Sequence, residues 1–284
     1  MSRIEVRRTA KLFIGGEFPR SESGRTLEVR SHDGRLLGHA ARASRKDLRD
    51  AVRAARAAFP GWSARTAYNR GQILYRVAEL MEGRRAQFEA ELADAGASDP
   101  RRGVDAAIDR WVWYAGWADK LAQVLGATNP IAGPYFSFTI PEPTGVVGIV
   151  APPDQPLLGL VSRLAPALAG GNVAVVVASG SAPLPAVTLA EVLATSDVPK
   201  GVVNLLTGEA AELAPWLAGH LDVNAIDVTG VPSEALAEVE AAAAENVKRV
   251  VRAPRVDPFE AAAESPYEAA AFLEMKTVWH PIGS

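Results

Sequence analysis

The sequence predicts an α/β protein with a doubly wound parallel sheet. Between positions 145 and 254, short runs of consecutive apolar residues alternate with helical patterns, and many of the apolar residues are β-branched. Such strands, without polar alternation, are typical of a parallel sheet covered by helices on both faces. The predicted strands are GVVGIV, NVAVVV, GVVNLL, VNAIDV and KRVVRA, with helices predicted between them at 156–168, 183–194, 210–218 and 233–244.

The N-terminal part, residues 1–134, is predicted to contain small strands followed by helices. KLFIGGEF and TLEVRSHDGRLLGHA alternate over short runs broken by Gly and Asp, which indicates two or three short strands. Ser44, followed three positions later by Asp47, is typical of a capping box at a helix start. Apolar residues then recur at helical spacing until PGW at 60–62, where this helix is predicted to end. Residues 44–126 are predicted to be mostly helical.

Aromatic residues are concentrated in RWVWYAGWADK, at positions 110–120. They could form a stacking platform for a ligand, but a helix that packs its aromatic side chains on a sheet is the more common arrangement. We adopt the core interpretation.

The α/β core, residues 135–254, opens with YFSFTIPEP, which predicts an edge strand or hairpin. After the fifth strand, the Ala-, Glu- and Pro-rich stretch DPFEAAAESPYEAAA predicts a linker at 255–270. The tail at 271–284 then predicts a strand, whose candidate interface residues are Phe272, Met275, Thr277, Val278 and Trp279. A lone apolar strand at a chain end needs the edge of another strand.

Composition excludes several classes of function. The chain has 30 Lys and Arg against 33 Asp and Glu, for a net charge of −3, and nothing resembles a nucleic-acid footprint. The N-terminus has no apolar signal region and no apolar run is long enough to cross a membrane, so we expect a cytoplasmic protein without a membrane partner. There is no cysteine, which excludes disulfides, thiolate metal sites and a cysteine nucleophile within these residues.

Ligands of doubly wound sheets bind beyond the carboxyl ends of the strands. The turns there are APPDQP, ASGSAP, TGEAAE and TGVPSE. They supply the candidate cofactor-binding residues Ala151, Pro152, Ser179, Gly208, Thr229 and Gly230.

Together these segments resemble the aldehyde dehydrogenase superfamily over residues 11–254 and 272–279. PTGVVGIVAPPDQPLLGLVSRLAPALAGGNVAVVVAS is similar to the core of its cofactor domain, GVVNLLTG and NAIDVTG to its later strands, and EMKTVW to its oligomerisation segment. The chain looks most like the degenerate second module of the family-sixteen members. The resemblance implies an NAD(P) cofactor, and it implies that the catalytic domain, which carries the nucleophilic cysteine in the family, is missing.

The resemblance also implies that the remaining catalytic positions are degenerate. The family's oxyanion-binding asparagine corresponds to Asp154, whose ionised carboxylate accepts hydrogen bonds and donates none. The alternative role of Asp154 is a helix cap before Pro156. The family's catalytic glutamate corresponds to Ala253, and its two ribose-binding residues correspond to Val177 and Gly180.

The other family positions are retained only in part. Thr229 and Gly230 match the family's threonine and glycine after a strand, although a plain strand-to-helix turn also explains them. Ala214 falls where the family has a glycine near the pyrophosphate. Ser265 lies in no matching motif that could make it a substitute nucleophile.

These observations predict a catalytically inactive pseudoenzyme that acts as a structural or regulatory subunit. Its tail strand is expected to dock on another protein by strand addition, either a full-length aldehyde dehydrogenase in a hetero-oligomer or a second copy of itself. Two alternatives stay open: a nucleotide-binding module with weak NAD(P) binding, and an NAD-dependent aldehyde oxidoreductase that acts only in a complex.

Overall fold

A computed structural model describes residues 6–252 and 256–283. The N-terminal part begins with a three-stranded sheet in the order β1-β3-β2, and Phe13 pairs with Leu205 through an isolated antiparallel bridge. The three strands are β1 (Thr9–Ala10), β2 (Thr26–Arg30) and β3 (Leu36–Ala41). Five helices follow and confirm the predicted helical region: α1 (Arg45–Ser63), α2 (Ala67–Gly83), α3 (Arg85–Asp94), α4 (Pro100–Trp117) and α5 (Leu121–Leu125).

Helix α1 starts as predicted and ends later than predicted. The Ser44 hydroxyl accepts from the Asp47 backbone N–H, and the Asp47 carboxylate accepts from the Ser44 N–H at 2.8 Å, which completes the capping box. The helix continues through Pro60 to Ser63. Trp62 explains the extension, because its side chain is fully buried and its indole N–H donates to the Leu168 carbonyl at 3.2 Å. This tertiary anchor outweighs the local effect of the proline.

The aromatic helix contributes to the core as interpreted, but it packs mainly on other helices, namely α2, α3 and the helix at Leu158–Ala169, so the expected packing on a sheet is wrong. Trp111 and Tyr114 of α4 are completely buried. Trp113 and Trp117 are partly buried and stack on one another with ring centroids 5.3 Å apart. The helix therefore places its aromatic side chains in the core and presents no stacking platform.

The predicted parallel sheet is present, with five strands in the order β10-β9-β6-β7-β8. Two strands, β4 (Ala127–Asn129) and β5 (Tyr135–Pro143), come before it in the chain. The sheet consists of β6 (Val146–Val150), β7 (Val173–Val177), β8 (Val203–Leu206), β9 (Ala225–Asp227) and β10 (Arg249–Val251), with α6 (Leu158–Ala169), α7 (Leu184–Thr195), α8 (Ala210–Gly219) and α9 (Ser233–Ala244) in the connections.

The strand order creates a switch point beside β6. From β6 the chain winds outward through β7 to β8, and it then returns to the other side of β6 to form β9 and β10. Ligands of such sheets bind in the crevice at the carboxyl ends of the two neighbouring strands from which the chain connections run in opposite directions. Here it is the junction of β6 and β9.

The predicted linker is packed against the domain. We call residues 256–271 the strap; it contains a 3₁₀ turn at Ala261–Ala263 and a short helix, α10 (Pro266–Ala270). Ala263 and Ala269 are buried. The alanines that gave this segment the composition of a linker are therefore partly core residues.

The tail strand β11 (Leu273–Pro281) finds its partner edge within its own chain. It pairs antiparallel with β5 along its whole length, from Leu273 opposite Pro143 to Pro281 opposite Tyr135, and β4 pairs with the other edge of β5. The expectation that the tail strand finds its partner edge on another protein is therefore wrong for this edge, because β5 of the same chain supplies it. Among the described residues, the outer edge of β11 has no strand beside it.

Candidate functional site

Thr229 and Gly230 lie at the switch point, against the end of β6. The Gly230 N–H donates to the Val150 carbonyl at 3.0 Å. A Cβ atom at position 230 would lie 2.1 Å from the Ala151 carbonyl oxygen, so only glycine fits without a backbone shift. This close approach gives Gly230 a packing role that needs no ligand.

Ser179 and Gly208 lie beside them, at the ends of β7 and β8. The Ser179 and Ser181 hydroxyls are hydrogen bonded at 3.0 Å, and the Ser181 hydroxyl also donates to the Pro153 carbonyl at 3.3 Å. The structure thus brings the six predicted cofactor-binding residues to one edge of the sheet. Five of them are buried: Ala151, Pro152, Ser179, Gly208 and Gly230.

Asp154 is exposed in the turn between β6 and α6. The prediction that it caps the helix is wrong, because α6 begins at Leu158 with Leu157 at the cap position and no side chain makes a cap hydrogen bond. The helix was predicted to begin at Pro156, and it begins two residues later. The Asp154 carboxylate therefore lies too early in the chain to cap the first helical turn. Ala253, the other position predicted to be a degenerate catalytic residue, lies outside the described residues.

A buried ion network of Arg163, Asp227 and Glu268 lies at the switch point, and the sequence analysis did not predict it. Arg163 of α6, with a side chain only 4% exposed, contacts the fully buried Asp227 at the end of β9, Nε to Oδ2, at 2.6 Å. Its guanidinium also pairs with Glu268 of the strap. Burial lowers the pKa of Arg163, but the two carboxylates raise it more, so its pKa lies above the ordinary value. A lone arginine in the apolar helix LGLVSRLAPALA was the available signal.

Arg110 of α4 holds the middle of the strap. Its side chain is 3% exposed; one terminal nitrogen donates to the Ser162 hydroxyl at 2.8 Å and the other to the Pro258 carbonyl at 2.9 Å. Its Nε lies 3.7 Å from a carboxylate oxygen of Glu264. Since hydrogen bonds from a charged donor are stronger than neutral ones, Arg110 fixes the strap firmly over α4 and α6.

Two further contacts hold the strap. The Tyr114 hydroxyl donates to the Ser265 carbonyl at 3.2 Å, and burial raises the pKa of Tyr114 above its ordinary value. The Arg102 guanidinium lies over the Phe259 ring, 4.4 Å from its centroid. The Ser265 hydroxyl accepts from the Tyr267 backbone N–H and caps α10, which is a structural role for a serine considered as a nucleophile.

A cavity of about 180 Å³ lies beneath the strap, at the carboxyl end of the switch point. Arg110, Asp154, Arg163, Thr229, Pro258 and Glu268 contribute to its wall. Its polar side-chain groups are guanidiniums, carboxylates, hydroxyls and the Gln155 carboxamide, and the chain has no thiol to add to them. The described residues hold no cluster of side chains suited to a metal ion.

The two positions predicted to correspond to ribose-binding residues, Val177 and Gly180, carry no charged group. Val177 is completely buried in β7, and Gly180 has no side chain. A dinucleotide on this edge of the sheet would therefore find backbone and hydroxyl groups of the turns in place of a lysine and a glutamate.

The three-stranded sheet formed by β4, β5 and β11, which we call the tail sheet, is a second candidate site. Met275, Thr277 and Trp279 share one face, because alternate residues of a strand point the same way, and Val278 lies on the opposite face. Phe272 precedes the strand and is completely buried, so the prediction that it is an interface residue is wrong: it belongs to the core of its own chain. Six large apolar residues of the tail sheet and its flank are exposed: Tyr135, Phe136, Ile140, Met275, Trp279 and Ile282.

No helix among residues 6–252 and 256–283 combines the length and apolar character required to cross a bilayer.

Comparison with known proteins identifies the family to which this sequence is similar. Residues 18–253 match the family model described as aldehyde dehydrogenase family. The chain is 34% identical over 258 residues to aldehyde dehydrogenase, cytosolic 1, of Elephantulus edwardii, which covers 88% of this chain and 51% of the relative. It is 36% identical over 256 residues to the human cytosolic 10-formyltetrahydrofolate dehydrogenase, covering 86% of this chain and 28% of the relative.

Solved structures show the same likeness. HpcC from Thermus thermophilus superimposes with a TM-score of 0.80 at 33% identity, covering 86% of this chain and 48% of that one. The NAD⁺ complex of a Bacillus cereus aldehyde dehydrogenase superimposes with a TM-score of 0.78 at 28% identity, covering 86% and 50%. The chain thus spans about half the length, or less, of the relatives it matches.

Proposed function

Because the chain belongs to the aldehyde dehydrogenase family, we propose that it is a catalytically inactive member of that family, acting as a structural or regulatory subunit of an active aldehyde dehydrogenase. The observation that carries the proposal is the absence of cysteine from all 284 residues. A thiolate that attacks the aldehyde carbonyl cannot be formed by these residues.

The neighbouring groups support inactivity. Asp154 presents a carboxylate at the mouth of the cavity, and a carboxylate repels the negative charge that develops on an aldehyde oxygen under attack. Arg163 is already paired with Asp227 and Glu268. Both arginines of the cavity also hold the strap in place, so their guanidiniums already have a structural role.

The tail sheet supports a role through association. It has an unpaired outer edge on β11 and exposed apolar side chains on both faces, including Trp279, which is 59% exposed, and Phe136, which is 46% exposed. Exposed apolar patches of this kind mark interaction sites, and a free strand edge can add a strand from a partner. The partner that we propose is a full-length, cysteine-containing aldehyde dehydrogenase.

Co-purification with such an enzyme from the same organism tests the proposal. Deleting residues 272–284 would also remove the core residues Phe272 and Leu273, so point changes on the exposed face are the cleaner test. We expect the double variant M275S/W279S to lose the partner. The matched control is Y75S, which removes an aromatic residue that is 51% exposed on α2, and it should retain the partner.

Two outcomes contradict the proposal: a chain that stays monomeric beside every candidate enzyme, and a partner that M275S/W279S retains as well as the wild type does. Association of the chain only with itself would replace the hetero-oligomer with a homo-oligomer.

A nucleotide-binding module is the second candidate function. The arrangement that favours it is the gathering of Ala151, Pro152, Ser179, Gly208, Thr229 and Gly230 at the carboxyl edge of the sheet. Calorimetry with NAD, NADP, ATP and coenzyme A at millimolar concentration tests it. Flat traces for all four would reject it, and weak heat with NAD or NADP alone would support it.

A further inference from the structure

Three buried polar atoms around one cavity have no hydrogen-bond partner. They are Nε of Arg110, the second terminal nitrogen of Arg163 and the Thr229 hydroxyl oxygen, and all three residues line the cavity beneath the strap. Both arginine side chains are more than nine-tenths buried. A buried donor without an acceptor is costly, and such groups are rare in folded proteins. Their concentration at one cavity indicates an occupant that carries an acceptor oxygen.

The charges around the cavity favour a neutral occupant. The two guanidiniums are outnumbered by the carboxylates that line the cavity or pair with them: Asp154, Asp227, Glu264 and Glu268. An anion placed there would add a fifth negative charge, and its repulsion by Asp227, which is completely buried, would be weakly screened. The acceptor oxygen therefore belongs to an uncharged group.

A hydrogen-bond acceptor also lies at the mouth of the cavity. Asp154 lines the cavity, is exposed and makes no side-chain hydrogen bond within the described residues, and an ionised carboxylate only accepts. A primary carboxamide has both required functions, a carbonyl oxygen that accepts and an NH₂ group that donates.

We propose that the cavity beneath the strap is a binding site for a small primary carboxamide. Its carbonyl oxygen accepts from Arg163 and Thr229, and its NH₂ group donates to Asp154. The cavity volume of about 180 Å³ is equivalent to about six water molecules at ~30 Å³ each, which suits a ligand of only a few carbon atoms. The site does not depend on the proposed subunit function, since no residue of the tail sheet contributes to it.

Three probes of the same size and shape test the ligand class: propionamide, butanone and propionate. The measurement is a titration of the purified full chain, followed by NMR shifts of residues around the cavity. Ligands this small bind at best in the millimolar range. We expect propionamide to bind most tightly, butanone more weakly because it cannot donate to Asp154, and propionate most weakly. Binding of propionate at or above the level of propionamide would overturn the proposal, as would a cavity that no probe perturbs and only water fills.

Two variants assign the contacts. T229V keeps the side-chain shape and removes the hydroxyl, and it should weaken propionamide and butanone about 5- to 10-fold, which is the loss of one hydrogen bond. T195V, a change of the same kind at an exposed site on α7, should have no effect. D154A alters an exposed residue and should abolish the preference for propionamide over butanone. Unchanged binding in T229V, or an unchanged preference in D154A, would contradict the assignment.

Discussion

At the scale of single residues, the ion pair between Arg163 and Asp227 is the most deeply buried of those described above. We expect it to contribute strongly to the free energy of unfolding. Removing Arg163 leaves Asp227 charged and completely buried without its partner. Breaking a buried pair from one side costs about 3–5 kcal/mol. We therefore expect R163M to lower the free energy of unfolding in urea by about that amount.

The control is an exposed pair between Lys276 and Glu142, whose side chains are 58% and 42% exposed. An exposed pair contributes about 1 kcal/mol or less, so K276M should change the free energy of unfolding little. Similar losses in R163M and K276M would contradict a structural role for the buried network.

Lys248 should make stability depend on pH in the alkaline range. Burial lowers the pKa of Lys248 from 10.5 to about 8, while its ammonium donates to the His220 carbonyl at 3.0 Å. Below pH 8 the folded and unfolded chains both carry this proton, and the folded state bears the full cost of burying the charge. Between pH 8 and 10.5 only the unfolded chain keeps the proton, so raising the pH disfavours unfolding.

We expect the free energy of unfolding to rise by about 1–3 kcal/mol between pH 8 and pH 10 through this group. Urea unfolding across that range measures it. K248M should flatten the rise, and K276M should leave it in place. A free energy of unfolding that falls over the same range in the wild type, with K248M unchanged, would rule out this titration.

At the scale of elements, the sequence predicts those whose causes are local. The capping box of α1 joins residues three positions apart, and the β-branched runs of β6 and β7 pair in the sheet that their pattern indicates. The extension of α1 through Pro60 was not predictable from the helix itself, because it depends on Trp62 reaching Leu168. The strap was misread for the same reason: its anchors, Arg110 and Arg163, lie far from it in the chain.

The strap should loosen as a unit when its central anchor is removed. R110M deletes the hydrogen bond to the Pro258 carbonyl and the contact with Glu264. Hydrogen bonds from a charged donor contribute about 1.5–3 kcal/mol, so we expect amide exchange in residues 256–271 to accelerate about 10-fold or more. Mass-spectrometric hydrogen exchange would show this, with β6 and β7 unchanged.

R101M is the control, because Arg101 is on the same helix with its side chain 82% exposed. Equal exchange in the wild type and R110M would show that Arg110 does not anchor the strap. Acceleration spread over β6 and β7 as well would mean that the variant destabilises the whole domain.

At the scale of the whole molecule, the fold class and the family were predictable, while the candidate sites were predictable only in part. Six residues placed at the carboxyl ends of the strands do meet there, because the topology of a doubly wound sheet fixes that edge. The ion network and its cavity were not predictable, since they combine α4, α6, β9 and the strap. The pairing of β11 with β5 was not predicted, because local sequence patterns do not show which of two strands more than a hundred positions apart will pair.

The measurement that tests the account most directly is NADH formation by the purified chain alone, with acetaldehyde and with propanal as substrates. A protein with no thiolate nucleophile among its 284 residues is expected to give no NADH above the background rate. Sustained, aldehyde-dependent production of NADH that follows the concentration of this chain would contradict the proposal that it is an inactive family member.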